Sequence, residues 1–175
     1  MKIDKIRASD IREASAFLRA GGRVLLSGTV YTARDAAHLR ITEQLNKTEP
    51  LPFPLKDAII YYAGPTPTDD EGKIGSFGPT TSVRMDRFTP RLLDLGLAAM
   101  IGKGERSGDV CGAIARNGAV YFCAIGGAGA LASKAVKVCV ETAYPELGCE
   151  SVKRLVVEDF PLIVAVDAFG GNLFK

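Results

Sequence analysis

The stretch GGRVLLSGTVYTARDAAHLRITEQLN (residues 21–46) decides the fold class. Val24-Leu25-Leu26 is a short apolar run that closes in Gly28. Thr32 and Asp35 then stand at capping-box spacing, ahead of a helix reaching about Asn46. The order is strand, turn, helix. Upstream, Asp10 and Glu13 repeat the capping-box spacing, Ile11, Ala14, Phe17 and Leu18 share one helical face, and Gly21-Gly22 close it, so residues 1–21 are expected to hold an N-terminal helix.

The same alternation continues downstream. Pro50 to Pro54 is an extended connection into Ala58-Ile59-Ile60-Tyr61-Tyr62, whose β-branched and aromatic content fits a buried strand. The next 22 positions, Gly64 to Met85, carry four glycines and three prolines, more than a plain connector needs. Thr89-Pro90 opens a helix that stops at Gly96, and Leu97 to Gly102 is a strand. A helix is expected over Asp109 to Arg116, a strand over Ala119 to Ile125, and a helix over Ala130 to Tyr144. Two last strands follow, Val152 to Val157 and Leu162 to Val166. Continuously apolar strands separated by helices predict an α/β fold with a mainly parallel sheet. The final two strands lie too close for a helical crossover and are expected to be antiparallel or to form a separate layer. One domain over residues 1–175 is expected.

Composition narrows the function. The 175 residues are 47% hydrophobic and 24% charged, the balance of one globular domain rather than of a disordered or fibrous chain. Lys and Arg total 22 against 20 Asp and Glu, a formal charge of +2 that points to neither nucleic acid nor a membrane surface as partner. Any anion site must be local. The opening MKIDKIRASD carries charges where a signal peptide needs an apolar core, and every apolar run is shorter than a membrane span, so a soluble cytoplasmic protein is expected. Cys111, Cys123, Cys139 and Cys149 match neither zinc nor iron-sulfur spacing and read as reduced thiols, so no metal site is expected in this chain.

Ligands of open α/β sheets collect beyond the carboxyl ends of the strands. Three places there hold cations and hydroxyls: Tyr31 to His38, Gly78 to Arg84, and Gly102-Lys103-Gly104. Arg34 falls in the first turn of its helix, where the positive end of the dipole disfavours a cation unless an anion is bound beside it. Its alternative is an ion pair with Asp35, Glu71 or an acid of a partner. His38, the only histidine, lies one turn on, in a position that is catalytic or structural. GPTTSVR joins a Gly-Pro turn to Thr80, Thr81, Ser82 and Arg84, a set able to wrap an anion or simply to cap the next element. Lys103 between two glycines allows a close approach or is a solvated turn lysine. Gly126-Gly127-Ala128-Gly129-Ala130 lacks dinucleotide-motif spacing and reads as close helix packing, with N–H groups aimed at an anion or an interface.

Taken in order, GTVYTARDAAH (28–38), IIYYAGPTP (59–67), IGSFGPTTSVRMD (74–86), IGKG (101–104), VYF (120–122) and VEDFPLIV (157–164) resemble one family. It is that of the iron-sulfur-dependent hydro-lyases, at the β subunit of class I fumarase or L-tartrate dehydratase. The resemblance runs from about Gly22 to Leu173 and is loosest in the closing FGGNLF. It implies a swivelling β/β/α domain with a second, smaller β layer. It also implies a hetero-oligomer whose α subunit, not this chain, holds a [4Fe–4S] cluster, and reversible addition of water to a C4 dicarboxylate. By resemblance Arg34 and Arg84 bind carboxylates with Thr81, Lys103 is the active-site lysine, and Thr80 is the base at the carbon-bound proton. Asp35 and His38 support the first motif from behind, and Asp86 closes the RMD motif or makes a structural ion pair. A non-catalytic dicarboxylate-binding or scaffolding module is the competing expectation.

Overall fold

A computed structural model describes residues 2–65, 75–125 and 128–175. Glu71 and the stretch 66–74 of the long loop therefore lie outside the described residues, as does the Gly126-Gly127 pair. Strand β1 (Ile3–Arg7) opens the chain, a 3-10 turn follows, and helix α1 is only Ile11–Ser15. The expected N-terminal helix is thus a short one preceded by a strand: Asp10 makes no side-chain cap, and in β1 Ile6 buries against the sheet while its neighbours stay wet. The first apolar run belongs to a longer strand, β2 (Arg23–Thr32), and helix α2 (Asp35–Asn46) follows. Thr32 is therefore no cap. Its buried Oγ1 accepts from the Lys153 N–H at 3.0 Å, tying β2 to the far end of the chain.

Then come β3 (Ile59–Tyr61), α3 (Thr89–Asp94), β4 (Ala99–Gly102), α4 (Gly108–Asn117), β5 (Val120–Ala124) and α5 (Ala128–Ala135), close to expectation except at the last. Residues after Ala135 leave the helix and form β6 (Val136–Ala143). Their run of Val136, Val138 and Val140 alternates with polar residues, a period-2 pattern that overrides the helical reading. The two final strands are one, β7 (Val152–Val166), bent at Asp159 in the left-handed region (φ 50°). The register of β7 against β2 slips at that bend.

Strands β1 to β5 run parallel in the order β1-β2-β3-β4-β5, while β7 is antiparallel to β2, β5 and β6. Because β7 pairs with β5 on one edge and with β2 on the other, strands β2, β3, β4, β5 and β7 close on themselves, and β1 and β6 flank the seam. Side chains of one face, including Leu26, Val30, Tyr61, Phe122, Leu155 and Phe160, fill a core inside this closed sheet. The other face is covered over β3, β4 and β5 by α2, α3 and α4 through Ile41, Leu92, Leu93, Val110 and Ile114. The molecule is a mixed α/β fold whose sheet is mostly parallel.

Candidate functional site

The carboxyl ends of β2, β3 and β4 lie side by side, so the segments leaving them meet above the sheet. Three backbone contacts draw the GPTTSVR segment across those ends. Pro79 bridges Ala63 after β3, the Thr80 N–H donates to the Tyr62 carbonyl at 2.7 Å, and Thr81 bridges Lys103 after β4. Ser82 completes the attachment. Its N–H donates to the Lys103 carbonyl at 3.0 Å, and its Oγ accepts from the Lys103 N–H at 3.0 Å. The Ser82 hydroxyl also lies 2.8 Å from Tyr121 Oη, which is 2.9 Å from the Gly104 carbonyl. A carbonyl only accepts, so Tyr121 donates to Gly104 and Ser82 donates to Tyr121. Of the three consecutive hydroxyls, Ser82 is the buried latch, whereas Thr80 and Thr81 remain at the surface. Gly102 is required here: a Cβ would come 1.9 Å from Ser82 Oγ and 2.9 Å from the Tyr62 ring.

The 3-10 turn Ser82–Met85 then presents Arg84 to solvent. Arg84 Nε donates to Asp35 Oδ1 at 3.1 Å, and Nη2 lies 3.0 Å from Oδ2, so the guanidinium fork rests on the first acid of α2. Arg34, one residue earlier, lies over Gly64, where a Cβ would meet its Nη1 at 3.0 Å. Its Nε is buried, has no hydrogen bond, and stands 4.0 Å from Glu150 Oε1. The same Glu150 oxygen accepts from the Ala36 N–H at 3.3 Å, so an internal carboxylate sits at the α2 N-terminus. Lys103 is exposed and has no acid partner among the described residues. Arg34, Arg84 and Lys103, distant in sequence, are thus gathered on one rim with Thr80 and Thr81 between them.

His38 is buried behind that rim. Its Nδ1 is 2.8 Å from the Arg34 carbonyl, which only accepts, so Nδ1 carries the proton and Nε2 is a bare, buried acceptor. Burial lowers its pKa to about 4, against the opposing bond to Arg34 and helped by the Arg106 charge. His38 is therefore a neutral prop for the Arg34 backbone. Asp86 also faces inward: Oδ1 accepts from Arg106 Nε and Oδ2 from the Ser107 N–H, each at 2.6 Å. Arg106, fully buried, donates on to Thr89 and lies against the Tyr62 and Tyr121 rings. This ion pair ties the Ser82–Met85 turn to the start of α4. Sequence reasoning does not find Arg106, Tyr121 or Glu150, because each acts through a partner more than a dozen residues away; the one local signal is Arg106 standing before the Ser107 cap of α4.

Four cysteines are unpaired, and among the described residues no group of three or more His, Cys, Asp or Glu side chains is placed to hold a metal ion. What the rim offers is donors: two guanidiniums, an ammonium and two hydroxyls, groups of the kind that hydrogen-bond carboxylates.

Known proteins resemble this chain in sequence. The chain is 40% identical to "Fumarate hydratase 2" of Leishmania major over its whole length, and 42% identical to "Fumarate hydratase class I, aerobic" of Escherichia coli (strain K12) over 87% of it. It spans 31% and 28% of those two proteins. It is 39% identical to "Putative L(+)-tartrate dehydratase subunit beta" of Methanocaldococcus jannaschii, over 98% of this chain and 89% of that one. A family model described as "Fumarase C-terminus" matches residues 1–175, and with these relatives it establishes that the chain belongs to that family.

Proposed function

We propose that this chain is the β part of a hydro-lyase that interconverts fumarate and L-malate, working as a single swivelling β/β/α domain against an α subunit that holds a [4Fe–4S] cluster. The observation that carries the reading is the convergence of Arg34, Arg84 and Lys103 around Thr80 and Thr81 at the carboxyl ends of β2, β3 and β4. A relative covered over 89% of its length is described as a subunit beta, which supports a second subunit beside this chain as the place for the cluster. When bound there, the cluster supplies a Lewis-acidic iron for the substrate's hydroxyl oxygen.

The chain's own residues do the rest. Taking a proton alpha to a carboxylate builds negative charge on that carboxylate, and fixed cations that need no reorganisation lower the cost. Arg84 and Arg34 grip the carboxylates, Thr81 donates to one of them, and Lys103 adds charge from the β4 side. Thr80 Oγ, as the alkoxide that these cations stabilise, takes the carbon-bound proton and becomes the neutral hydroxyl. Asp35 holds the Arg84 fork until substrate arrives, and His38 holds the Arg34 backbone.

Replacing Arg84 by Lys keeps the charge and loses the fork, so the complex should turn over fumarate about 30- to 1000-fold more slowly, a loss of roughly 2–4 kcal/mol. Steady-state kinetics at wild-type rates would remove Arg84 from the site. Thr80→Ser should retain far more activity than Thr80→Val; equal losses would leave the hydroxyl idle.

L-tartrate dehydratase is the second reading, favoured by the match over 89% of a subunit beta of that description. Comparing fumarate with tartrate turnover by the anaerobically purified two-subunit complex separates the two. A complex that binds dicarboxylates but turns over neither would leave a binding module.

A further inference from the structure

In the closed sheet, Ile6, Val24, Leu26, Val30, Leu155 and Val157 point into the core, so the residues alternating with them point the other way. Over β3, β4 and β5 that outward face is covered by α2, α3 and α4. Over β1, β2, the middle of β7 and β6, helix cover is missing among the described residues. Register sets Val138 opposite Val156 and Val156 opposite Thr29, and likewise Val140 opposite Arg154 and Arg154 opposite Tyr31. Val138 is 39% exposed and Val140 45%, and Ile3 adds a further exposed apolar side chain on β1. An antiparallel sheet can face water on one side, but such a face is ordinarily polar, and apolar rows across it mark an interaction surface.

We infer that this open face seats a protein partner whose own surface is acidic and studded with apolar side chains; resting on the function proposed above, that partner is the cluster-bearing subunit. Charge selects it. Arg7, Arg23, Lys56 and Arg154 stand on or beside the face with no acid partner among the described residues, and of the two acids at the β7 bend, Asp159 is already taken by Lys5 at 3.3 Å. A second copy of this chain would set cation against cation. Nucleic acid would need a continuous basic track where valines stand. Between Arg7 and Lys56, beside β2, a cavity of about 510 Å³ opens, with the hydroxyls of Ser27 and Thr29 on its wall and, as its one acid, Asp57, which is already paired with Arg12 at 2.8 Å. It fits an acidic side chain protruding from the partner. Position agrees with charge: the face runs from β6 through the turn Pro145–Glu150 to Glu150, 4.0 Å from Arg34, so a partner seated on it adjoins the catalytic rim.

The test is the affinity between this chain and its α subunit, measured by titration calorimetry for wild type, Arg154→Glu, Val138→Glu/Val140→Glu and, as a control on the C-terminal end of α2, Lys47→Glu. Far-ultraviolet dichroism confirms that each variant folds. The two face variants should bind at least about ten-fold more weakly, with wild-type affinity falling as salt rises, and Lys47→Glu should bind normally. Face variants that bind like wild type overturn this inference while leaving the functional reading intact. A wild-type chain that pairs with no cluster-bearing subunit overturns both. Binding of the wild-type chain to duplex DNA, weakened by the same Arg154→Glu change, would assign the face to nucleic acid instead and overturn the inference.

Discussion

On the function proposed above, the Arg84–Asp35 pair is a receptor that waits for its ligand at small cost. The pair is exposed, Arg84 by 53%, and ion pairs of this kind are worth about 0–1 kcal/mol. On that proposal a substrate carboxylate takes over the fork without a large penalty, while Asp35 keeps it aimed in the meantime. Asp35→Asn removes the competitor, so KM for the dicarboxylate should fall by up to about five-fold, the equivalent of that 1 kcal/mol. A raised KM would show that Asp35 orients Arg84 more than it competes. His38 carries a different signature. Its pKa is lowered from 6.5 to about 4 by burial, so between those values the unfolded chain binds a proton that the folded one refuses. The stabilisation is complete above about pH 6.5 and is lost as pH falls toward 4, amounting to about 3 kcal/mol. Urea unfolding at pH 7 and pH 4.5 should show a smaller acid loss in His38→Asn than in wild type; equal losses would mean that His38 titrates normally.

Among the elements, the Ser82–Met85 turn has the least secondary structure to support it and the most depends on it. It is held by Ser82 on one side and by the Asp86–Arg106 pair on the other, both buried. Ser82→Ala strands the Lys103 N–H and takes one donor from the Tyr121 hydroxyl, which keeps its bond to Gly104, and should cost about 1–3 kcal/mol. Gly102→Ala drives a methyl into Ser82 and should cost about as much by overpacking, with the activity loss exceeding the stability loss because Lys103 and Thr81 shift together. Thermal melts beside kinetics check both; a Gly102→Ala protein with wild-type values in each would show that the latch adapts. The latch also marks where sequence reading stops. Strands β3, β4 and β5 and helices α3 and α4 were legible because periodicity, Thr89-Pro90 and Gly96 are local signals. Arg34, Arg84 and Lys103 could be placed together in advance by the rule that ligands gather at strand ends. Arg106 could not, since nothing near it in sequence announces Asp86 or Thr89 as its partners. Strand β6 was misjudged for a related reason: Ala130 to Ala135 is helical, and the boundary to the valine alternation has no Gly or Pro to mark it.

At the scale of the whole molecule, β7 decides the architecture. Read as two short strands it is an appendage; as one strand bent at Asp159 it pairs with β2, β5 and β6 and seals the sheet. The bend hides from sequence reading because Glu158-Asp159 resembles a hairpin turn, and only the neighbouring strands reveal that the direction is kept. Thr32 binds the Lys153 N–H for the same reason, at a joint between early and late chain. Since Arg23 meets Ile163 about 140 residues later, the joint closes a long loop before its contacts can repay the entropy. A ribosome making this protein must therefore release nearly all of β7 before β2 acquires its antiparallel partner and the sheet can close. Until then the apolar staves of an unfinished barrel stand open to whatever else the cell contains, which makes the emerging chain a natural client for chaperones.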